Sequence, residues 1–318
     1  MFKHLLVPLD GSSLAECVIP HAAGIARLFG SRLTLLHILE QSKSPGSPLA
    51  IDPLDWELRR AESASYLSEL CRRLEAAGIA AEERVEEGSP SRGILEFART
   101  QDVDLILLSS HGRSGLTAWN VSSVVQKVLQ RATTSTMIVR AFQPMLDERH
   151  GIPYRTLLVP LDGSQRAENA LPLAASLARH FDSRLLLAHI VPVPEMPRRA
   201  PLSQEEGELL ERLIGRNREE ATYYLEQLTA RFSPAPRYRL LVDDDVPATL
   251  HNLVEEEEID LVVLSAHGYS GKSTLPFGSV ASNFILYGKT PVLIVQDLPA
   301  EEIEAAQAAG FARQFQGH

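Results

Sequence analysis

Between residues 265 and 280 the chain reads SAHGYSGKSTLPFGSV, which crowds a histidine, three glycines and several hydroxyls into one stretch. The four apolar residues before it, Leu261 to Leu264, run without alternation, as a short parallel strand covered on both faces does. After the loop, Gly278-Ser279 precedes VASNFILY, which has helical spacing. A strand, a glycine loop and a helix start form an anion site, because the unpaired N–H groups and the positive end of the helix dipole point at one place. In this reading Gly268 and Gly278 allow positive φ or a close backbone approach to a phosphate, and Ser279 adds a hydroxyl donor. An earlier copy stands at 105–124, LILLSSHGRSGLTAWNVSSV, with His111-Gly112 for His267-Gly268 and Ser122-Ser123 for Gly278-Ser279.

Other chemistries fit these residues less well. Gly271-Lys272-Ser273 lacks the first glycine of a phosphate-binding P-loop, since Ala266 stands there and the earlier copy has Gly115-Leu116-Thr117. Lys272 can still reach a phosphate as a loop cation. His111 and His267 recur without a Ser, Cys or carboxylate at a suggestive spacing, so loop hydrogen bonding is expected rather than general-base work. Asp10 and Asp162 have two readings: ligand contact, favoured in the second copy, or capping of the next helix through the DGS turn, favoured in the first. Glu255 to Glu258 reads as a solvated helix face, and the sequence shows no metal-ligand cluster.

The elements that must position these residues repeat. LLVPLDGS near the N-terminus, ending in Asp10-Gly11-Ser12, is a strand running into a turn and then a helix that Ser12 or Ser13 can cap and Gly30 stops. Arg32–Leu39 is the second strand, and a Ser-, Pro- and Gly-rich loop covers 41–53. A long helix is expected from about Asp55 to Ala77, a strand at 80–85, a helix opening at Pro90, a strand from Asp104 and a fifth at 136–139. At an offset of 152, Pro160, Asp162, Gly163 and Ser164 then match Pro8, Asp10, Gly11 and Ser12, and Glu168 and His189-Ile190 match Glu16 and His37-Ile38. The offset becomes 156 by the fourth strand, so extra residues are expected in the Pro-rich stretch 192–201. This pattern specifies α/β architecture: two tandem domains, each a five-stranded parallel sheet with helices on both faces, at 1–142 and 154–297. Residues 143–153 read as a linker and 298–318 as a C-terminal tail with a short amphipathic pattern at Ile303, Ala306, Phe311 and Phe315.

Composition narrows the function. A net charge of −10 with no basic run argues against nucleic acid or anionic membrane as the main partner, although a nucleotide can be held by backbone amides. No apolar run approaches the roughly 20 residues that span a bilayer, and the N-terminal apolar segment is too short for a signal peptide, so a cytoplasmic protein is expected. Cys17 and Cys71 read as buried structural thiols.

VPLDGS at the first strand, LLHI at the second, and SSHG or SAHG followed by Ser/Gly-Ser-Val at the fourth resemble the universal stress protein family in its tandem form. The resemblance implies a Rossmann-like, adenine nucleotide alpha hydrolase-like fold, and an ATP loop of the form Gly-x2-Gly-x9-Gly-Ser/Thr. It implies further that adenosine lies beyond the ends of the first two strands. The second repeat offers Ser265, Gly268, Gly278 and Ser279, replacing one glycine; the first offers Ser109, Gly112, Ser122 and Ser123, replacing two. By resemblance Pro160, Asp162 and Ile190 flank the adenosine and Val280 joins the phosphate amides, with Pro8, Asp10, Ile38, Gly112 and Ser123 forming a weaker second site. A serine where positive φ is wanted costs roughly 1 kcal/mol, which favours the second repeat.

The expectation is an ATP-binding, nucleotide-responsive regulator, with Mg2+ accompanying ATP, an intrachain pseudo-dimer open to homodimerisation, and a protein partner that the sequence does not name. Two rival readings are a stress scaffold without nucleotide that works through protein contacts, and a slow ATPase. The loop supplies no evident base or water-positioning residue for the latter, and no catalytic residue is assigned.

Overall fold

A computed structural model describes residues 1–40, 53–112, 121–141, 152, 154–194, 203–269, 276–299, 301 and 303. The chain divides into two compact units, one holding the described residues of Met1–Pro153, Ser273–Pro276 and Ile285–His318, the other those of Tyr154–Lys272 and Phe277–Phe284.

In the first unit, β1 (His4–Pro8) pairs in parallel with β2 (Arg32–Leu39), and β2 with β3 (Ala81–Glu87). On its other side β1 pairs in parallel with β4 (Leu105–Ser109), and β4 with β5 (Ser135–Val139). The strand order therefore reverses between β1 and β4, which opens a crevice at their carboxyl ends. These central strands bury nearly every residue, as their unbroken apolar runs require. A further strand, β10 (Val292–Val295), pairs antiparallel with β5 in this unit, with Leu293 opposite Met137. It covers an apolar edge that would otherwise be bare. Fully buried Arg140, just after β5, donates to the Ile285 carbonyl at 3.2 Å.

The helices follow local chemistry. A 3-10 turn (Ala15–Val18) leads into α1 (Ile19–Phe29), where one continuous helix was expected, and Gly30 ends it at φ 62. The other helices of this unit are α2 (Pro53–Ala76), α3 (Pro90–Thr100), with Pro90 in its first turn, and α4 (Ser123–Leu129). Asp104 Oδ2 accepts from the Lys3 and His4 amides at 2.6 and 2.9 Å, clamping the start of β4 to the start of β1.

The second unit repeats this plan. Its β6 (Thr156–Leu161) pairs in parallel with β7 (Arg184–Pro192), β7 with β8 (Arg237–Asp243), and β6 also with β9 (Leu261–Ser265). Asp260 Oδ2 accepts from the Arg155 and Thr156 amides at 2.7 and 2.9 Å, the same clamp again. Helices α5 (Gln165–Glu168), α6 (Leu171–Phe181), α7 (Gln204–Thr229) and α8 (Val246–Glu256) and the first residues, to Phe284, of α9 (Ser279–Tyr287) complete it. Asp182 replaces Gly30 as the left-handed end of α6, at φ 53.

A partly exposed polar network also recurs. Glu168 accepts from the Tyr224 hydroxyl at 3.1 Å and from Arg231 at 3.3 Å, as Glu16 accepts from Tyr66 at 3.3 Å and Arg73 at 3.0 Å. Each network ties the long helix to the start of the first-helix segment. Cys17 is buried, and burial pushes its thiol up to about 11; Cys71 is only half-buried, which corrects the expectation for that residue. The added Pro-rich residues 195–202, the loop with Lys272, and all of the tail beyond Ile303 lie outside the described residues.

Candidate nucleotide site

The second unit holds a cavity of about 380 Å³ at the carboxyl ends of β6, β7 and β9. Pro160, Asp162, Ile190, Ser265, Gly268, Gly278, Ser279 and Val280, drawn from three distant stretches of sequence, all line it. Asp162 knits two of those stretches together. Its Oδ1 accepts from the Ser164 amide at 3.0 Å and hydroxyl at 2.6 Å, and its Oδ2 accepts from the Tyr269 amide at 2.5 Å. Ser164 then caps α5, accepting from the Ala167 amide at 3.1 Å. The cap is thus the serine, and the aspartate orients it while holding the loop after β9. The first unit has the same arrangement, with Asp10 Oδ1 accepting from Ser12 N and Oγ and Ser12 Oγ accepting from the Ala15 amide. Asp10 and Asp162 therefore make the same orienting hydrogen bonds within the protein.

Gly268 is required by close approach. A Cβ there would lie 2.1 Å from Asp162 Oδ2, and one on Gly112 would lie 2.0 Å from Asp10 Oδ2. Neither Gly268 nor Gly278 has positive φ. A Cβ at 278 would meet the Ala266 carbonyl at 3.4 Å, an ordinary contact. Its counterpart Ser122 sits at φ −69 in extended backbone and caps α4, accepting from the Val125 amide at 3.4 Å. The expected conformational cost of serine at this position is therefore absent, because the backbone never enters the left-handed region. What glycine changes at 278 is the space and polarity of the cavity wall.

The loop returns through a Gly278 N–H donated to the Ala266 carbonyl at 2.7 Å, matched by Ser122 N–H to Ser110 at 2.7 Å. Helix α9 starts at Ser279, so the N–H groups of its first turn have no intrahelical acceptor, and Ser279, Val280 and Ala281 line the cavity. The described lining includes no Lys or Arg and one carboxylate, Asp162. Buried Ser265 Oγ and His189 Nδ1 have no hydrogen-bond partner among the described residues.

Pro8, Asp10, Ile38, Gly112 and Ser123 line a separate cavity of about 540 Å³ in the first unit. Its chemistry differs. It carries three carboxylates, Asp10, Glu40 and Glu62, and its Arg59 is paired with Asp55 at 2.9 Å. Ser109 Oγ, the counterpart of Ser265, donates to the Leu14 and His111 carbonyls at 3.0 and 2.6 Å. His111 and His267 are both buried, and His111 Nδ1 meets Ser110 Oγ at 3.2 Å, in keeping with a loop hydrogen bond.

Sequence reasoning missed His189, although it adjoins Ile190, and also the α8 wall of Val246, Pro247 and Leu250. The signal for His189 was its recurrence with His37. Nothing in the sequence brings α8 to the cavity, because that depends on the crossover from β8.

A duplicated parallel α/β unit with a strand–loop–helix segment at its strand-order reversal defines the class. The model of the universal stress protein family matches residues 1–140 and again 153–296. A universal stress protein of Mycobacterium bovis is 22% identical over 305 residues, covering 92% of this chain and 96% of the relative. One of Mycolicibacterium smegmatis is 24% identical over 307 residues, with the same coverage of each. The fold is also that of a universal stress protein structure from Archaeoglobus fulgidus, with TM-score 0.62 and 19% identity over 93% of this chain and 96% of that one. The chain belongs to the universal stress protein family, in its two-repeat form.

Proposed function

We propose that the chain binds ATP in the second-repeat cavity and acts as a cytoplasmic, nucleotide-responsive regulatory module, passing occupancy on to a protein partner. The observation that carries this reading is the convergence of eight residues from 160–162, 190 and 265–280 on one cavity, with the α9 N-terminus at its end. The apolar wall of Pro160, Ala188, Ile190 and Leu250 suits a nucleoside. The unpaired N–H groups of Ser279 and Val280 suit a phosphate, and the hydrogen bonds that Asp162 accepts from Ser164 and Tyr269 hold its carboxylate to the flanking turns. Mg2+ would travel with the phosphates, since the lining offers it hydroxyls but no spare carboxylate.

The second repeat is the favoured site for reasons of charge and hydroxyl supply. The first cavity carries Glu40 and Glu62 beyond Asp10, the counterpart of Asp162, and this added negative charge opposes a nucleotide, while the Ser109 and Ser122 side chains there are engaged within the protein. Pro8, Asp10, Ile38, Gly112 and Ser123 form the weaker site. On this reading the functional domains are 1–142 and 154–297, joined by 143–153 and followed by a tail.

Mass spectrometry of small molecules released from purified, denatured protein tests the reading. An adenine nucleotide near one equivalent per chain is expected. Protein that carries none, and takes none up from a millimolar adenine nucleotide mixture, would refute it.

A further inference from the structure

The outer strands of the two units are built alike and finished differently. Among the described residues β3 pairs only with β2, and β8 only with β7, so each leaves one row of backbone groups open. Their registers align them: Glu83 pairs with Leu35 as Tyr238 pairs with Leu187, and Glu87 with Leu39 as Val242 with Val191. The first edge carries Glu82, Glu83, Glu86 and Glu87, the kind of charge that protects a bare strand from pairing. The second reads RYRLLVD, and its Tyr238 and Val242 are 36% and 38% exposed. The strand itself does not demand this, since the first unit forms it with glutamates at both positions. The open row can also be assigned. The Asp243 carbonyl accepts from the Val193 amide at 3.3 Å on the β7 side, and the backbone groups of a strand alternate sides residue by residue. The amides and carbonyls of Tyr238, Leu240 and Val242 therefore face outward, and they take no bond from any described residue.

We infer that β8 is a homodimer interface, at which a second copy of this chain adds its own β8 edge to edge and antiparallel. The sequence of the strand is complementary to itself. With the pair centred on Leu240, Tyr238 stands opposite the partner's Val242, and Arg237 opposite the partner's Asp243. Leu240 meets its own copy on the two-fold axis, as an isologous interface requires. The outward-facing residues are then the ones that exchange backbone hydrogen bonds across the pair. Charge favours this register. Arg237 has no ion pair among the described residues, whereas Arg239 already donates to Glu257 at 2.7 Å. Asp243 accepts from the Asp245 amide at 3.0 Å and, with Asp244 and Asp245, makes the far end of the strand acidic. Each copy thus sets its basic start against the acidic end of the other. The same register on β3 would set Glu83 against Glu87, and like charges directly opposite are destabilising. Only the second-repeat edge can pair with itself.

The test is sedimentation velocity on the full chain without nucleotide, over a concentration series. A short strand pair buries little surface, so the wild type is expected to pass from monomer to dimer at micromolar concentrations rather than below. The double variant Tyr238→Glu, Val242→Glu, which copies the first-repeat edge, should stay monomeric and keep the wild-type melting temperature to within a few degrees. Should it fail to fold, Arg237→Asp replaces it and should weaken the dimer about tenfold, in the range measured for opposed charges. The two-fold axis is tested separately in a Cys71→Ser background. Leu240→Cys should form a chain-to-chain disulfide under mild oxidant, because residue 240 faces its own copy, and Tyr238→Cys should form far less, because residue 242 stands opposite it. A chain that remains monomeric at every concentration overturns the inference. So does a dimer that survives the glutamates or the Arg237 change, or equal crosslinking at 238 and 240, since each puts the interface or its axis elsewhere.

Discussion

Asp162 Oδ2 occupies the space that a side chain on Gly268 would need, 2.1 Å from where its Cβ would stand, so any larger residue there must displace that carboxylate. The contact joins the first and fourth strands of the repeat at their carboxyl ends, and Asp10 with Gly112 makes it again. Gly268→Ala should cost about 1–3 kcal/mol, as forced overpacking does. Because the clash is with one side chain, adding Asp162→Ala should recover much of that loss. Urea unfolding of the two single variants and the double variant measures this; strictly additive losses would show that the two residues do not oppose one another.

Gly278→Ser is expected to behave differently. With ordinary φ and an open 3.4 Å approach to the Ala266 carbonyl, the serine should alter stability by no more than about 0.5 kcal/mol. Its hydroxyl can cap α9 as Ser122 caps α4. A thermal melt that drops by many degrees would mean that the position is conformationally constrained after all.

The strands, their parallel order and the duplication were legible because unbroken apolar runs such as LLVP and LILLS recur with the same turns. The candidate site was legible for the same reason. Its finer causes were not. Gly268 announces an unusual backbone, yet its reason is Asp162, distant in sequence, and only the folded loop shows it. What Gly278 supplies was not legible either, because a glycine at a helix start reads alike whether it provides φ or space, and here its φ is not positive. The Glu168–Tyr224–Arg231 network spans crossovers whose lengths differ between the repeats, which hid it from a fixed-offset comparison.

His21, buried in α1, has its imidazole pulled down to about 3 by burial. The unfolded chain binds that proton near the ordinary 6.5, so between 6.5 and 3 the unfolded state holds more protons than the folded one. Stability from this residue is therefore complete above about pH 6.5 and declines as pH falls, by roughly 2–3 kcal/mol at pH 4.5. Urea midpoints from pH 7.5 to 4.5 should fall less steeply for His21→Leu than for wild type; parallel curves would remove His21 as a cause.

ATP turnover should be far slower than binding. Backbone amides hold bound ATP as well as any transition state, and uniform binding does not accelerate the chemical step. The described lining has one carboxylate, and both its oxygens accept hydrogen bonds from the protein. Single-turnover phosphate release should stay well below about 1 per second, the low end for dedicated enzymes; a rate at or above that, lost in Lys272→Ala, would make the protein an ATPase.

The central claim, one nucleotide cradle in the second repeat, is tested most directly by calorimetric titration of ATP into nucleotide-free protein, with Gly278→Ser and Ser122→Gly alongside wild type. The account predicts about one strong site per chain, weakened on the order of tenfold by Gly278→Ser, about 1.4 kcal/mol, and unchanged by Ser122→Gly. Two equal sites, or a single site that responds to Ser122→Gly and ignores Gly278→Ser, would contradict it.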